Sequence, residues 1–220
     1  MFIAIWNETM ADRHLIVGGS GFIGRHVALL LALQGHPVTI ASRTMPEFNF
    51  PASVYDSITW EKADPAGVEW DNLLKDAAVV HYYAWSSIPA SANSDPQRDL
   101  TANVASLIGM LDAMRRRGGA RIVFASSGGT VYGQPKAIPI SEEHPTAPIT
   151  AYGASKAAAE IYLGLYRSLY GIDCRIARLA NPYGAGQNLS RPLGAATVFI
   201  SRALQKRRDQ VIALLLSTSS

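Results

Sequence analysis

Disulfides, membrane spans and strong net charge are all scarce in this sequence, and each shortage removes a class of protein. Cys174 is the one cysteine among 220 residues, so an internal disulfide is excluded and a reducing compartment is expected. It sits in the alternation Ile172, Cys174, Ile176, which suits a buried strand better than a nucleophile. The longest apolar runs, Val27 to Leu33 and Val211 to Leu216, fall far below the ~20 residues that cross a bilayer, so no membrane partner is expected. Met1 to Trp6 are apolar but lack the basic start and cleavage site of a secretory signal, and the expected location is cytoplasmic. Lys and Arg total 20 against 17 Asp and Glu, a net charge of +3. The two basic clusters, Arg115 to Arg117 and Lys206 to Arg208, fall near the ends of expected helices with no interleaved aromatics. They read as solvated helix termini, and no nucleic-acid partner is expected. No metal is expected either.

What is present is an ordinary globular composition, 48% hydrophobic and 17% charged, sufficient for one substantial core. Short β-type runs alternate with longer helical ones. Strands are expected at His14 to Val17, Pro37 to Ala41, Ile58 to Ala63, Ala77 to His81, Arg121 to Ala125 and Ile172 to Leu179. Helices are expected from Arg25 to Gln34, from Asp95-Pro96 to about Arg117, and from Tyr152 to Tyr170. The second starts on an N-cap followed by proline, and glycines follow all three. Six strands joined by helical crossovers predict an α/β fold, a Rossmann-type doubly wound parallel sheet with helices on both faces. Residues 1–9 are expected as an N-terminal extension and 10–180 as the dinucleotide-binding domain. An amphipathic helix from Val198 to Gln205 would open an incomplete, small substrate-binding domain over 181–220.

Gly18, Gly21 and Gly24 are spaced G-x-x-G-x-x-G between the first strand and the first helix. Glycines let the backbone turn sharply and approach a pyrophosphate, and the helix N-terminus offers amide donors to its charge. This predicts a dinucleotide cofactor. At the end of the second strand, where an acid usually meets the ribose of NAD, the residues are Ser42 and Arg43. Arg43 suits a 2′-phosphate, as in NADP, but equally suits stacking on adenine or exposure to water.

Tyr152 and Lys156 form Y-x-x-x-K at the start of the third long helix, four apart and so on one face. A tyrosine with a pKa of about 10 is a poor base, and a neighbouring ammonium plus an oxidised nicotinamide would favour its phenolate. Such a tyrosine can take a hydroxyl proton while hydride leaves the adjacent carbon.

With both motifs in hand, the chain resembles the extended short-chain dehydrogenase/reductases. The likeness is to the NAD-dependent epimerase/dehydratase family and its UDP-glucose 4-epimerase-like members. It covers roughly Arg13 to Arg208 and includes Asp64, Asp95-Pro96 with Asn103, Ser126 to Gly133 (SSGGTVYG), Pro139 to Pro145 and Asn181 to Gly184. The resemblance implies NAD as cofactor, with NADP open, and a nucleotide-sugar or other small hydroxyl or carbonyl substrate. It implies that Ser20, Phe22 and Ile23 join the glycines at the pyrophosphate, and that Asp64, with Pro65 beside it, takes the adenine. Tyr82, Tyr83 and Ala84 would lie along the cofactor, Asn103 would stabilise the sheet beside it, and Asn181 would face the sugar nucleotide. Tyr152 and Lys156 would serve both the reaction and the nicotinamide ribose. The reaction would oxidise a sugar hydroxyl at C4, followed by rotation and re-reduction.

Three departures qualify the likeness. Ser127-Gly128-Gly129 stands where dehydratases carry Thr-Asp-Glu, which argues against dehydration. Gly128 also occupies the place of the epimerases' serine or threonine, leaving Ser127 or Thr130 to hold the reacting oxygen; Ser127 is the choice here. Tyr83 replaces a small residue, and either crowds the cofactor or stacks on it. Beyond about Arg208 the family pattern stops, so the expectation is a truncated chain whose exposed apolar faces favour association, with a homodimer as one outcome. A simple NADP-dependent reductase and a catalytically silent dinucleotide-binding module are the competing readings.

Overall fold

Leu15 and Val17 in the first strand face one layer of core, and Ile16 between them faces the other. The same split recurs along the sheet, because successive strand residues point to opposite faces. Ala41, Val80, Tyr82, Ile122, Phe124 and Cys174 join Leu15 and Val17, whereas Val38 and Ile40 join Ile16. Both faces are therefore covered, as parallel sheets require. The computed structural model describes residues 12–45 and 50–188, together with Phe199, Ile200 and Ala203. The expected extension over 1–9, most of the expected helix from Val198 to Gln205 and the closing stretch Val211 to Ser220 lie outside the described residues.

All six expected strands are present: β1 (His14–Val17), β2 (Val38–Ser42), β3 (Ile58–Lys62), β4 (Val79–Tyr82), β5 (Arg121–Ser127) and β6 (Cys174–Leu179). Every pairing is parallel, in the order β3-β2-β1-β4-β5-β6. That order reverses between β1 and β4, the position at which doubly wound sheets open a crevice for a ligand.

Helix α1 (Phe22–Leu33) covers one face through Ala28, Leu31 and Ala32. It starts three residues earlier than the expected Arg25, since Gly24 belongs to its first turn rather than to the loop. Short α2 (Trp70–Leu73), with α5 (Ser106–Arg117) and α6 (Ala151–Tyr170), covers the other face through Trp70, Leu107, Met110, Leu111, Met114, Ala159 and Leu163. Each fully buried side chain of this size contributes about 1.5–3 kcal/mol of transfer free energy. A 3₁₀ turn at Ala52–Ser57 and helix α3 (Pro89–Ser94) have no periodic signal in the sequence.

The expected long helix from Pro96 is α4 (Pro96–Leu100), a π-helical segment (Thr101–Ala105) and α5 in unbroken succession. Asp95 caps it as expected, accepting from the Arg98 amide at 3.0 Å. The widened turn has a local cause. Thr101, Asn103 and Ser106 each donate a side-chain hydrogen bond to the carbonyl four residues back, at Gln97, Asp99 and Ala102. Such back-bonding competes with the ordinary ladder and distorts it.

Two compact units emerge, residues 1–179 and 180–220. Within the second, the described stretch 180–188 is a turn in which the Gln187 amide donates to Gly184 O and its side chain to Pro182 O. No helix among the described residues is long and apolar enough to cross a membrane. Arg115 stacks on Tyr170, Arg116 pairs with Asp71 at 3.0 Å and Arg117 donates to Ala77 O, so the first basic cluster is occupied at the end of α5.

Candidate active site

Gly18 ends β1 with φ +84°, and β4 runs out directly over it. A Cβ at Gly18 would stand 2.6 Å from the amide nitrogen of Ala84, and one at Gly24 would stand 2.6 Å from Gly18 O. The turn thus closes only with hydrogen at both positions. Gly21 is the N-cap of α1, with no capping side chain and no acid in the first turn. The amides and the positive end of a 12-residue helix are left for an anion, which suits a pyrophosphate. Ser20, Phe22 and Ile23 are half-buried around this turn.

The adenine and ribose end is mixed. Arg43 is exposed just beyond β2. Ser42 is buried, donating to Thr44 O at 2.8 Å and accepting from Trp60 Nε1 at 3.0 Å, so its hydroxyl is used within the sheet edge. Asp64 is exposed after β3 and accepts from the Ala66 amide at 3.1 Å. Pro65 lines an open groove of about 640 Å³ along Arg98, Thr101 and Ala102, in which neither Tyr152 nor Lys156 takes part.

Beyond β4 the chain passes from the glycine turn to the acid–base pair within three residues. Tyr82 is 1% exposed, its ring in the core beside Trp70 and Phe124, which leaves only its backbone at the crevice. Tyr83 packs on the core under α1, with its hydroxyl 3.2 Å from His81 Nδ1. Its bulk is therefore taken up by the core rather than spread over the glycine turn. Ala84 lies on Gly18, and Trp85 lies against Tyr152, with ring centroids 6.3 Å apart.

Lys156 is 4% exposed. Its Nζ donates to Ala125 O at 2.7 Å and stands 3.6 Å from the centre of the Trp85 ring, 4.7 Å from Phe124 and 5.8 Å from Tyr152. An ammonium over aromatic faces is favoured by their quadrupoles, and more so when desolvated. Burial still lowers the lysine to about 7, against the opposing fields of Asp99 and Glu160. Tyr152 is raised, by burial first and by Asp99 second. The protein's own groups therefore keep the phenol protonated; the nearby ammonium does not by itself offset burial, because it is turned to Ala125 and Trp85.

Thr150 caps α6 by accepting from the Gly153 amide at 3.1 Å, which sets the first turn that carries Tyr152. Asn103, in the π-helical segment, accepts from the Ser86 amide at 2.8 Å and from the Ser86 hydroxyl at 3.0 Å. It ties down the chain just after Trp85. Ser127 ends β5 half-buried, and its carbonyl accepts from the Thr130 and Val131 amides. Among the described residues, Thr130 Oγ1, Trp85 Nε1 and Asp99 Oδ2 are buried with no hydrogen-bond partner. Asn181 is exposed in the second unit. No group of metal-ligating side chains occurs among the described residues.

Sequence reasoning missed Trp85 and Asp99. Trp85 stands in a stretch without periodicity, and Asp99 reads as one more polar residue in a first helical turn. The nearest sequence signal for Asp99 is its i,i+4 spacing to Asn103.

Residues 14–218 match the profile of the NAD-dependent epimerase/dehydratase family. The chain is 35% identical over 205 residues to a UDP-glucose 4-epimerase of Mycolicibacterium smegmatis, covering 90% of this chain and 65% of that one. Among solved structures, it is similar to the UDP-N-acetylglucosamine 4-epimerase of Methanobrevibacter ruminantium bound to UDP-N-acetylmuramic acid. That likeness has a TM-score of 0.81 and 27% identity, over 89% of this chain and 64% of the other. The UDP-glucose 4-epimerase of Thermus thermophilus in complex with NAD gives a TM-score of 0.77 and 29% identity, over 88% and 63%. The chain spans less than two thirds of the length of these relatives. With the glycine turn, the tyrosine–lysine pair and the strand order all in place, the chain belongs to the NAD-dependent epimerase/dehydratase family.

Proposed function

We propose that this chain supplies the cofactor-binding and proton-transfer part of an NAD-dependent 4-epimerase of nucleotide sugars. One observation carries the reading. The span Tyr83 to Trp85 lays Ala84 on Gly18 and Trp85 on both Tyr152 and Lys156, so a phosphate cradle and an acid–base pair share one crevice. The family match and the 4-epimerases among its relatives support the substrate class.

In this reading Gly18, Ser20, Gly21, Phe22, Ile23 and Gly24 hold the pyrophosphate of NAD, Asp64 and Pro65 meet the adenine, and Arg43 meets its ribose. When bound, NAD supplies the acceptor and later the donor of hydride. The positive charge of bound NAD would favour the Tyr152 phenolate, whose Oη would then take the proton of the sugar hydroxyl and return it once the opposite face is reduced. Lys156, turned from Ala125 O, would bring positive charge toward that oxygen and bond the nicotinamide ribose. Ser127 holds the reacting oxygen, with the orphaned Thr130 hydroxyl as the competing donor. Residues 10–180 form the dinucleotide domain in this reading, 181–220 begin the substrate domain through Asn181, and 1–9 precede the fold. Ser127-Gly128-Gly129 offers no acid pair for dehydration.

Tyr152→Phe is expected to lower turnover by about 10²–10⁴-fold, while NAD titration followed by tryptophan fluorescence stays unchanged. Retained turnover in that variant would refute the role of Tyr152. Ser127→Ala and Thr130→Ala, assayed side by side, identify the donor by the larger loss. A silent dinucleotide-binding module is the correct reading if the wild-type chain binds NAD but converts no nucleotide sugar even when joined to a relative's C-terminal region. The exposed Arg43, with no acid beside it at Ser42, favours an NADP-dependent reductase as second reading. Parallel titrations with NAD and NADP, before and after Arg43→Ala, decide it: an unchanged preference removes the argument from that arginine.

A further inference from the structure

Trp85 is the side chain at this site to which the epimerase reading gives no chemical task. The chain on either side of it is fixed, since Ala84 lies on Gly18 and the Ser86 amide donates to Asn103 Oδ1 at 2.8 Å. The indole packs edge-on to Phe124, with ring centroids 5.8 Å apart, and to Tyr152 at 6.3 Å. Its Nε1 is buried with no hydrogen-bond partner among the described residues. What the ring offers the site is therefore its face.

That face carries the Lys156 ammonium, 3.6 Å from the ring centre. A buried ammonium has three donors to satisfy. Among the described residues Lys156 makes one hydrogen bond, to Ala125 O at 2.7 Å, and no ion pair. The carboxylates whose fields reach it are bonded elsewhere. Asp99 accepts from the Ser87 hydroxyl and from Asn103 Nδ2 at 2.9 Å, and Glu160 is bound by Arg178 at 2.7 Å and by the Ser126 hydroxyl. Tyr152, the other titratable neighbour, is kept protonated by burial. The rest of the ammonium is thus met by rings: Trp85 at 3.6 Å, Phe124 at 4.7 Å and Tyr152 at 5.8 Å. An indole is the strongest of the three faces for a cation, and here it is also the nearest.

We propose that Trp85 is a positioning residue, whose indole face seats the Lys156 ammonium and keeps it charged beside Tyr152 with no carboxylate bound to it. A carboxylate would fix the ammonium at one point, whereas a ring face attracts it over a broad area. The same ring touches Tyr152, so the ammonium can turn from Ala125 O toward the tyrosine while it stays in the field of the indole. This rests on Tyr152 and Lys156 being the reactive pair, but the seat is measurable without turnover.

The test is a pH titration of the full chain carrying ¹³C at the lysine ε carbons, with the Lys156 signal assigned by its loss in Lys156→Met. The chain is made with ordinary tryptophan and then with tryptophans of increasing fluorine content, which keep the shape of the indole but withdraw charge from its face. Of the described tryptophans only Trp85 faces Lys156. The midpoint is expected near 7 with ordinary tryptophan. It should fall stepwise with fluorine, by about one pH unit at the highest content. In Trp85→Phe the dependence on fluorine should vanish. A midpoint that fluorine does not move overturns the proposal, because a ring that merely fills space would give that result. A fall that persists in Trp85→Phe overturns it as well. If Trp85→Phe does not fold, the fluorine series in the wild-type chain decides alone. A chain that converted no nucleotide sugar yet showed the fluorine dependence would lose the epimerase reading and keep the seat.

Discussion

Lys156 and His81 are both buried against the same sheet, on opposite faces, and they resolve their charge in opposite ways. Lys156 sits among aromatic faces, and burial lowers its pKa to about 7 against the fields of Asp99 and Glu160. His81 lies 2.9 Å from His14 across adjacent strands, with the Tyr83 hydroxyl on its other nitrogen and no carboxylate among its bonded partners. Burial first and His14 second lower it to about 3. His14 falls to about 4, through burial and then His36, while nearby Asp12 is engaged by Arg121 at 2.7 Å. One cluster is built to keep a proton within reach of neutral pH, and the other to stay uncharged. Desolvation lowers both by a similar amount; the higher starting value of an amine, 10.5 against 6.5 for an imidazole, separates them.

The largest expected effect follows from breaking the charged cluster. Lys156→Met removes the ammonium from beside Tyr152 and should lower turnover by about 10²–10⁴-fold, read in a nucleotide-sugar epimerase assay. The neutral cluster should respond as a hydrogen bond rather than an ion pair. His81→Leu alone orphans the Nδ1 of His14 and should cost about 1–3 kcal/mol, whereas the double change with His14→Leu should cost less than the sum. A cost equal to the sum would show that the two imidazoles do not support each other.

Acid separates the clusters further. For a base whose pKa is lowered on folding, the unfolded chain binds the extra proton between the folded and the unfolded values. Stability from His14 and His81 is therefore complete above about 6.5, and falls below it toward about 4 and about 3. The slope is about 1.4 kcal/mol per pH unit for each imidazole, measurable as a denaturation midpoint that drops between pH 6.5 and 5 and drops less in His81→Leu. Lys156 has the same sign in another window: the cost of burying it is full below about 7 and diminishes from there toward 10.5. Lys156→Met should flatten the rise in stability between pH 7 and 9. The smallest effect belongs to neither cluster. Arg116→Ala removes an exposed pair with Asp71 and should change stability by less than about 1 kcal/mol.

The sequence made some of this legible because some of it is local. The glycine spacing reports a backbone that cannot carry side chains, and Tyr152 and Lys156 meet through helical periodicity alone. Asp95-Pro96 announces its helix for the same reason. Trp85, Asp99 and the histidine pair were not legible, since each acquires its role from a residue in another strand or helix. His14 and His81 read as ordinary strand positions until β1 and β4 are placed side by side. Tyr83 illustrates the limit most clearly. Its size suggested a conflict with the cofactor, but the face of the sheet onto which it turns, set by the register of β4, directs it to His81.

The passage from Tyr82 to Ser86 has a consequence for how the family can vary. Its start is fixed by a buried strand residue, its second half by Gly18 at Ala84 and by Lys156 at Trp85, and its end by Asn103 at Ser86. A chain pinned at four successive points is a ruler, and one residue more or less would slide Trp85 off the lysine or Ala84 off the glycine. Insertions among related sequences should therefore be absent between Tyr82 and Ser86. Substitution at Tyr83, whose side chain is not one of the pins, should be common.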